Sequence, residues 1–102
     1  MSMGNLARMA QQMQAQMLRV QAELEDLRVE GSAGGGAVTA VVTGKLELVS
    51  VAIRPDVVDP DDVEMLQDLV VAAVSEALDT ARRTQEQKMA AVTGGMRIPG
   101  LG

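Results

Sequence analysis

The chain has 102 residues, a formal net charge of −5 at pH 7, and no cysteine, histidine or aromatic residue. The missing Cys and His together exclude disulfides, ordinary zinc sites, thiol nucleophiles and any Ser/His/Asp triad. With no Phe, Tyr or Trp the core must come from Leu, Val, Ile, Met and Ala, and a chain this short is expected to gain stability by self-association.

The first predicted element is a helix over 5–27. Leu6, Met13, Val20 and Leu27 recur every seven residues, with Ala10, Met17 and Leu24 interleaved, which is a heptad seam. Ser2 or Asn5 suits its N-cap, and its length comes to about 35 Å. The seam fits two roles equally, covering the protein's own sheet or meeting a partner helix. No run of eighteen apolar residues offers a membrane span, and Gln11, Gln12, Gln14 and Gln16 interrupt the only N-terminal candidate for a secretory signal. A cytoplasmic location is therefore expected.

Residues 28–54 read as a three-stranded antiparallel sheet, with strands over 29–33, 37–43 and 46–54. Gly34, Gly35 and Gly36 turn the chain between the first two, and Gly31 suits close approach of a partner backbone. Gly44-Lys45 predicts a two-residue type II′ hairpin that pairs Thr43 with Leu46 and Val41 with Leu48. That register collects Val38, Ala40, Val42, Val49, Val51 and Ile53 on one face and leaves Val41, Leu46, Leu48 and Ala52 on the other. A half-solvated sheet alternates more cleanly, so helices are expected on one face and a second subunit on the other. The residues expected at a dimer contact are Val49, Val51 and Ile53, with Leu66 and Val70 from the next helix.

That helix is predicted over 59–92, with Asp59 as N-cap, Pro60 in its first position and Asp61, Asp62 and Glu64 in its first turn. Its apolar stripe runs through Val63, Leu66, Val70, Ala73, Ala77 and Ala81, then fades into "RRTQEQK", so its last turns should project from the body. A flexible tail is expected over 93–102, beginning near Gly94 and Gly95.

The glycine-rich stretch "EGSAGGGAV" fails as a nucleotide loop. Gly31 and Gly36 have Walker A spacing, but Ala37 and Val38 stand where Lys and Ser/Thr must be. The stretch also leads from a turn into a strand, whereas phosphate loops lead from a strand into a helix. Ser32, Ser50 and Ser75 have no histidine base, and the carboxylates fit a helix start rather than a calcium loop. No catalysis, cofactor, metal or small-molecule substrate is expected.

Charge is unevenly placed. Residues 1–22 hold Arg8 and Arg19 and no acid, and residues 81–102 hold Arg82, Arg83, Lys88 and Arg97 against Glu86 alone. Between 59 and 80 lie seven acids and no cation. Any one of these cations fits a solubilising role. As a set, Arg8, Arg19, Arg82, Arg83 and Lys88 are candidates for phosphate contact. The lack of aromatics removes the stacking platforms that single-stranded nucleic acid needs, which leaves duplex backbone. A rival reading is a protein-interaction scaffold in which Met9, Met13 and Met17 grip a partner.

In combination, "QQMQAQM", "VEGSAGGGAV", "DPDDVEMLQDLVVAAVSEAL" and "KMAAVTGGMRIPGL" closely resemble the YbaB/EbfC family of bacterial nucleoid-associated proteins over nearly the whole chain. The resemblance implies an α+β fold of α-β-β-β-α order and a homodimer whose helices project like the arms of tweezers. It also implies binding to double-stranded DNA in the cytoplasmic nucleoid, with a role in nucleoid organisation or gene regulation. The arm positions then fall around Arg8 and Arg19 and around Arg82, Arg83 and Lys88. Gln fills many polar positions of the lysine-poor first helix, so binding is expected to be weak, largely indifferent to sequence and steeply salt-dependent.

Overall fold

A computed structural model of the chain describes residues 2–93, so the tail expected beyond Thr93, including Arg97, lies outside the described residues. The element order is α1 (Met3–Asp26), β1 (Arg28–Ala33), β2 (Val38–Thr43), β3 (Leu48–Ile53), a single 3-10 turn at Pro55–Val57, and α2 (Val63–Thr93). The strands form one antiparallel sheet in the order β1-β2-β3, which is the α+β architecture expected from the sequence.

The molecule is long and narrow. It measures 71 × 28 × 16 Å with a radius of gyration of 19.8 Å, where a compact domain of this length would have about 13 Å. The cause lies in α1. Ser2 caps it, its hydroxyl accepting from the Asn5 N–H at 3.3 Å, and the heptad seam starts at once, yet the buried residues of the helix are Val20 and Leu24, both near its C-terminal end. The earlier turns stand clear of the body.

The core forms on one face of β1 and β2. Val29 pairs with Val42, Gly31 with Ala40 and Ala33 with Val38, so these residues share a face, and α2 lies on it through Ala73, Ala77 and Ala81, all fully buried. The approach is backbone to backbone. A Cβ built on Gly31 would collide with the Ala77 nitrogen and the Ala73 carbonyl oxygen and would lie 2.9 Å from Ala77 Cα. The close contact anticipated at Gly31 is thus made by the chain's own α2. Leu66, Leu69, Val70, Val74 and Leu78 flank this row of alanines and pack against the same core.

The β1–β2 turn follows the sequence expectation, with Gly34, Gly35 and Gly36 all left-handed at φ +65°, +66° and +89°. The β2–β3 connection does not. Leu46 takes the left-handed conformation, at φ +69°, and Gly44 does not, which rules out a type II′ turn at Gly44-Lys45. The loop is wider. The Thr43 hydroxyl accepts from the Lys45 and Glu47 N–H groups at 3.1 and 3.2 Å, and the Thr43 N–H donates to the Glu47 carbonyl at 2.8 Å. Gly44 is needed for space, since its N–H donates to the Leu24 carbonyl at 2.8 Å and a Cβ there would lie 2.7 Å from that oxygen. The register shifts accordingly. Ser50 rather than Leu48 stands opposite Val41, Leu48 lies opposite Val42, and the ladder is irregular between them. Leu46, expected on the far face, packs partly into the core.

The second helix begins four residues later than its first capping candidate. The Asp59 side chain accepts from the Asp61 N–H at 2.9 Å and so closes a local turn, while Asp62 caps the helix by accepting from the Met65 N–H at 3.2 Å. Carboxylates at 59 and 62 both satisfy amides, and the sequence alone favours the first because Pro60 follows it.

The two glycine environments predict opposite outcomes. Gly31→Ala should destabilise the fold by about 3 kcal/mol or more, because a helix backbone must move. Gly35→Ala meets open space and should cost only about 1–2 kcal/mol for its left-handed backbone. Urea unfolding of the two variants beside the parent checks the order.

Candidate nucleic-acid interface

The distal half of α2 runs beside the C-terminal half of α1, and this contact positions the candidate cations. Val20 and Leu24 turn inward, while Arg19, one residue before Val20, stays exposed at the rim. Arg19 and Lys88 line one cleft between the helices, together with Gln16, Val20, Glu23, Ala91 and Val92. Across that cleft the Lys88 ammonium donates to Glu23 Oε2 at 3.2 Å. The remaining candidates lie elsewhere along the arms. Arg82 donates to Asp79 Oδ1 at 2.8 Å, and Arg83 donates to Thr80 Oγ1 at 3.1 Å. Arg8 lies on the exposed, projecting part of α1.

The five candidates therefore differ in availability. Lys88 and Arg82 have carboxylate partners, whereas Arg8, Arg19 and Arg83 have none among the described residues. Sequence reasoning missed Glu23. It is the first acid in the chain and lies four residues after Arg19, but its partner is 65 residues away, a distance at which no local pattern speaks. Exposed ion pairs of this kind are worth about 0–1 kcal/mol, so they yield to a competing anion at little cost.

The acidic excess is set apart from the arms. Asp59, Asp61, Asp62, Glu64 and Asp68 are exposed at the start of α2, and the twenty residues from Asp68 to Lys88 span about 30 Å of helix. That is several times the screening length of about 8 Å at physiological salt. Within the arm region the potential is set by the local charges, the five cations together with Glu23, Asp79 and Glu86, and the acids at the start of α2 have little influence there. Among the described residues no group of acids could hold a metal ion, and none of the described helices is long and apolar enough to cross a membrane.

Two apolar surfaces are left uncovered. Leu6, Met9, Ala10 and Met13 line a groove with Val92 near the arm tips; Leu6 is 52% exposed and Met9 48%. The seam thus covers the chain's own body in its second half and is bare in its first. At the other end, Leu48, Val49 and Ile53 are exposed on β3, as are Val58, Val63, Met65 and Val71 nearby in sequence. Of the residues expected at a dimer contact, Val49 and Ile53 are exposed, while Val51, Leu66 and Val70 are half-buried against the chain's own core.

The sequence matches the model of the YbaB/EbfC DNA-binding family over residues 1–96. The chain belongs to this family. A nucleoid-associated protein of Alkaliphilus metalliredigens is 54% identical over 100 residues, covering 98% of this chain and 88% of its own. One from Acetivibrio thermocellus is also 54% identical, over 101 residues, with 98% and 89% covered. In fold, this YbaB/EbfC chain is similar to the crystal structure of the uncharacterized protein HP0035 from Helicobacter pylori, with a TM-score of 0.67 at 21% identity, covering 94% and 97% of the two chains. The family is one of DNA-binding proteins and not an enzyme family.

If the α1–α2 contact holds the arm, Leu24→Ala, at a side chain 3% exposed, should destabilise the protein by about 2–4 kcal/mol. Leu18→Ala, at a side chain 60% exposed, should stay within about 0.5 kcal/mol of the parent. Chemical denaturation of both variants measures the difference.

Proposed function

We propose that the protein binds double-stranded DNA as a homodimer in the cytoplasmic nucleoid, organising DNA or regulating genes through phosphate contacts made by its arms. The observation that carries this reading is the pair of arginines, Arg8 and Arg19, exposed on a projecting helix of a DNA-binding family member and without carboxylate partners among the described residues. Lys88, Arg82 and Arg83 on α2 extend the surface. With no aromatic side chain to stack on bases, affinity rests on a few backbone contacts and is weak and largely independent of sequence.

The dimer reading is supported by β3. It is an edge strand with apolar side chains in water, an arrangement that soluble proteins normally protect. Val49 and Ile53 lie on that strand, and a second copy would cover them, with Val51, Leu66 and Val70 behind. The bare groove at Leu6, Met9 and Met13 supports a second reading, a scaffold that holds a protein partner through its methionines. Capture of partners before and after nuclease treatment separates the two, because only scaffold partners survive the nuclease.

Duplex binding followed by fluorescence anisotropy over a salt series should show a steep fall in affinity with salt. The Arg8→Gln, Arg19→Gln double variant should bind more weakly, with a slope shallower by about 0.9 for every phosphate it no longer neutralises. Binding indifferent to salt would exclude the backbone reading. Ile53→Asp should shift the protein from dimer to monomer in analytical ultracentrifugation, and an unchanged mass would move the interface away from β3.

A further inference from the structure

We propose that Glu23 gates DNA affinity. In the free protein its carboxylate holds Lys88 across the arm cleft, and on binding a backbone phosphate of duplex DNA takes its place between Lys88 and Arg19. The proposal rests on the reading that the arms bind duplex backbone, and it assigns to one acidic residue the control of that binding.

The geometry points this way for several reasons. Glu23 follows Arg19 by four residues, one helical turn, so the two share a face of α1, and both line the cleft that receives Lys88. The Lys88–Glu23 contact is 3.2 Å, with side-chain exposures of 35% and 48%, so both groups meet solvent and an incoming phosphate can reach them. A phosphodiester carries the same single negative charge as the carboxylate it displaces. The exchange leaves Lys88 paired and gives Arg19 a partner it lacks.

Helix stability does not explain why a carboxylate stands at position 23. Glu23 falls in the last turn of α1, where the helix carries no basic residue and ends close to Glu25 and Asp26. Carboxylates there oppose the helix dipole, which offsets the small gain that a pair with Arg19 one turn earlier could add. What Glu23 does contribute is a bond between two arms that are 65 residues apart in sequence. With Glu23 in place the cleft holds two cations and one anion. Without it both cations face an incoming phosphate unopposed.

The test uses the full-length protein, a short mixed-sequence duplex and anisotropy over a salt series. Glu23→Gln should bind about three- to tenfold more tightly at moderate salt, as expected for one charge removed beside a phosphate site, and its salt slope should steepen by about one per engaged cleft. Lys88→Gln should bind more weakly than the parent, and Glu23→Gln in that background should give a clearly smaller gain, because the released cation is absent. Asp68→Asn, which removes the same charge from the far end of α2, should leave affinity unchanged.

Several results would overturn the gate. Parental affinity and slope in Glu23→Gln would do so, as would an equal gain with and without Lys88, or an equal gain from Asp68→Asn. If the parent itself fails to bind duplex at low salt, the DNA reading falls and the gate with it. If the parent binds with the expected salt dependence while Glu23→Gln is unchanged, the gate alone falls.

Discussion

Where α2 crosses β1, two backbones meet with no side chain between them, and the rest of the molecule is laid out from that contact. Gly31 supplies the gap and Ala73, Ala77 and Ala81 supply a helix face flat enough to enter it. A helix this close to a sheet has little freedom to tilt, because its backbone is already in contact and the flanking Leu and Val side chains pack against the same core. The consequence appears at the far end of α2, whose last turns are carried off the sheet along a fixed line. Gly44 repeats the device for α1, seating Leu24 against the β2–β3 loop. Two glycines therefore fix the directions of both arms.

The chemistry of the arms depends on those directions. Arg19 and Lys88 share a cleft because α1 and α2 converge beyond the sheet, and small rotations at either glycine seat would be magnified over the length of a helix. This explains how a chain without aromatic residues can still hold its candidate side chains in register. The rigid part is a small patch of Gly, Ala and Val, and long helices carry its geometry outward. The cost is exposure, since the first half of α1 stands in solvent with its seam largely bare.

Much of this was legible in the sequence, and the parts that were not have physical reasons. Helical periodicity showed both helices, and the glycine cluster marked the β1–β2 turn, because three consecutive residues there need positive φ. The β2–β3 register was misread since Gly44 serves two purposes that look alike in sequence, turning a chain and admitting a neighbour, and only the second holds here. The helix start moved from Asp59 to Asp62 because both carboxylates accept from backbone amides two or three residues on, and the sequence offers the two caps side by side. The candidate cations were found by counting charges, but their differing availability was not, because Glu23 and Lys88 meet only through the fold.

The separation of charge along the molecule bears on what a coated duplex would look like from outside. In the proposed binding mode the exposed carboxylates at the start of α2 would lie well away along the helix from the cations that meet the phosphates. A duplex covered in this way would keep a negative exterior, displaced outward onto protein. Basic coat proteins draw DNA segments together by neutralising them, whereas this coat would leave neighbouring segments repelling one another and the covered stretch open and soluble.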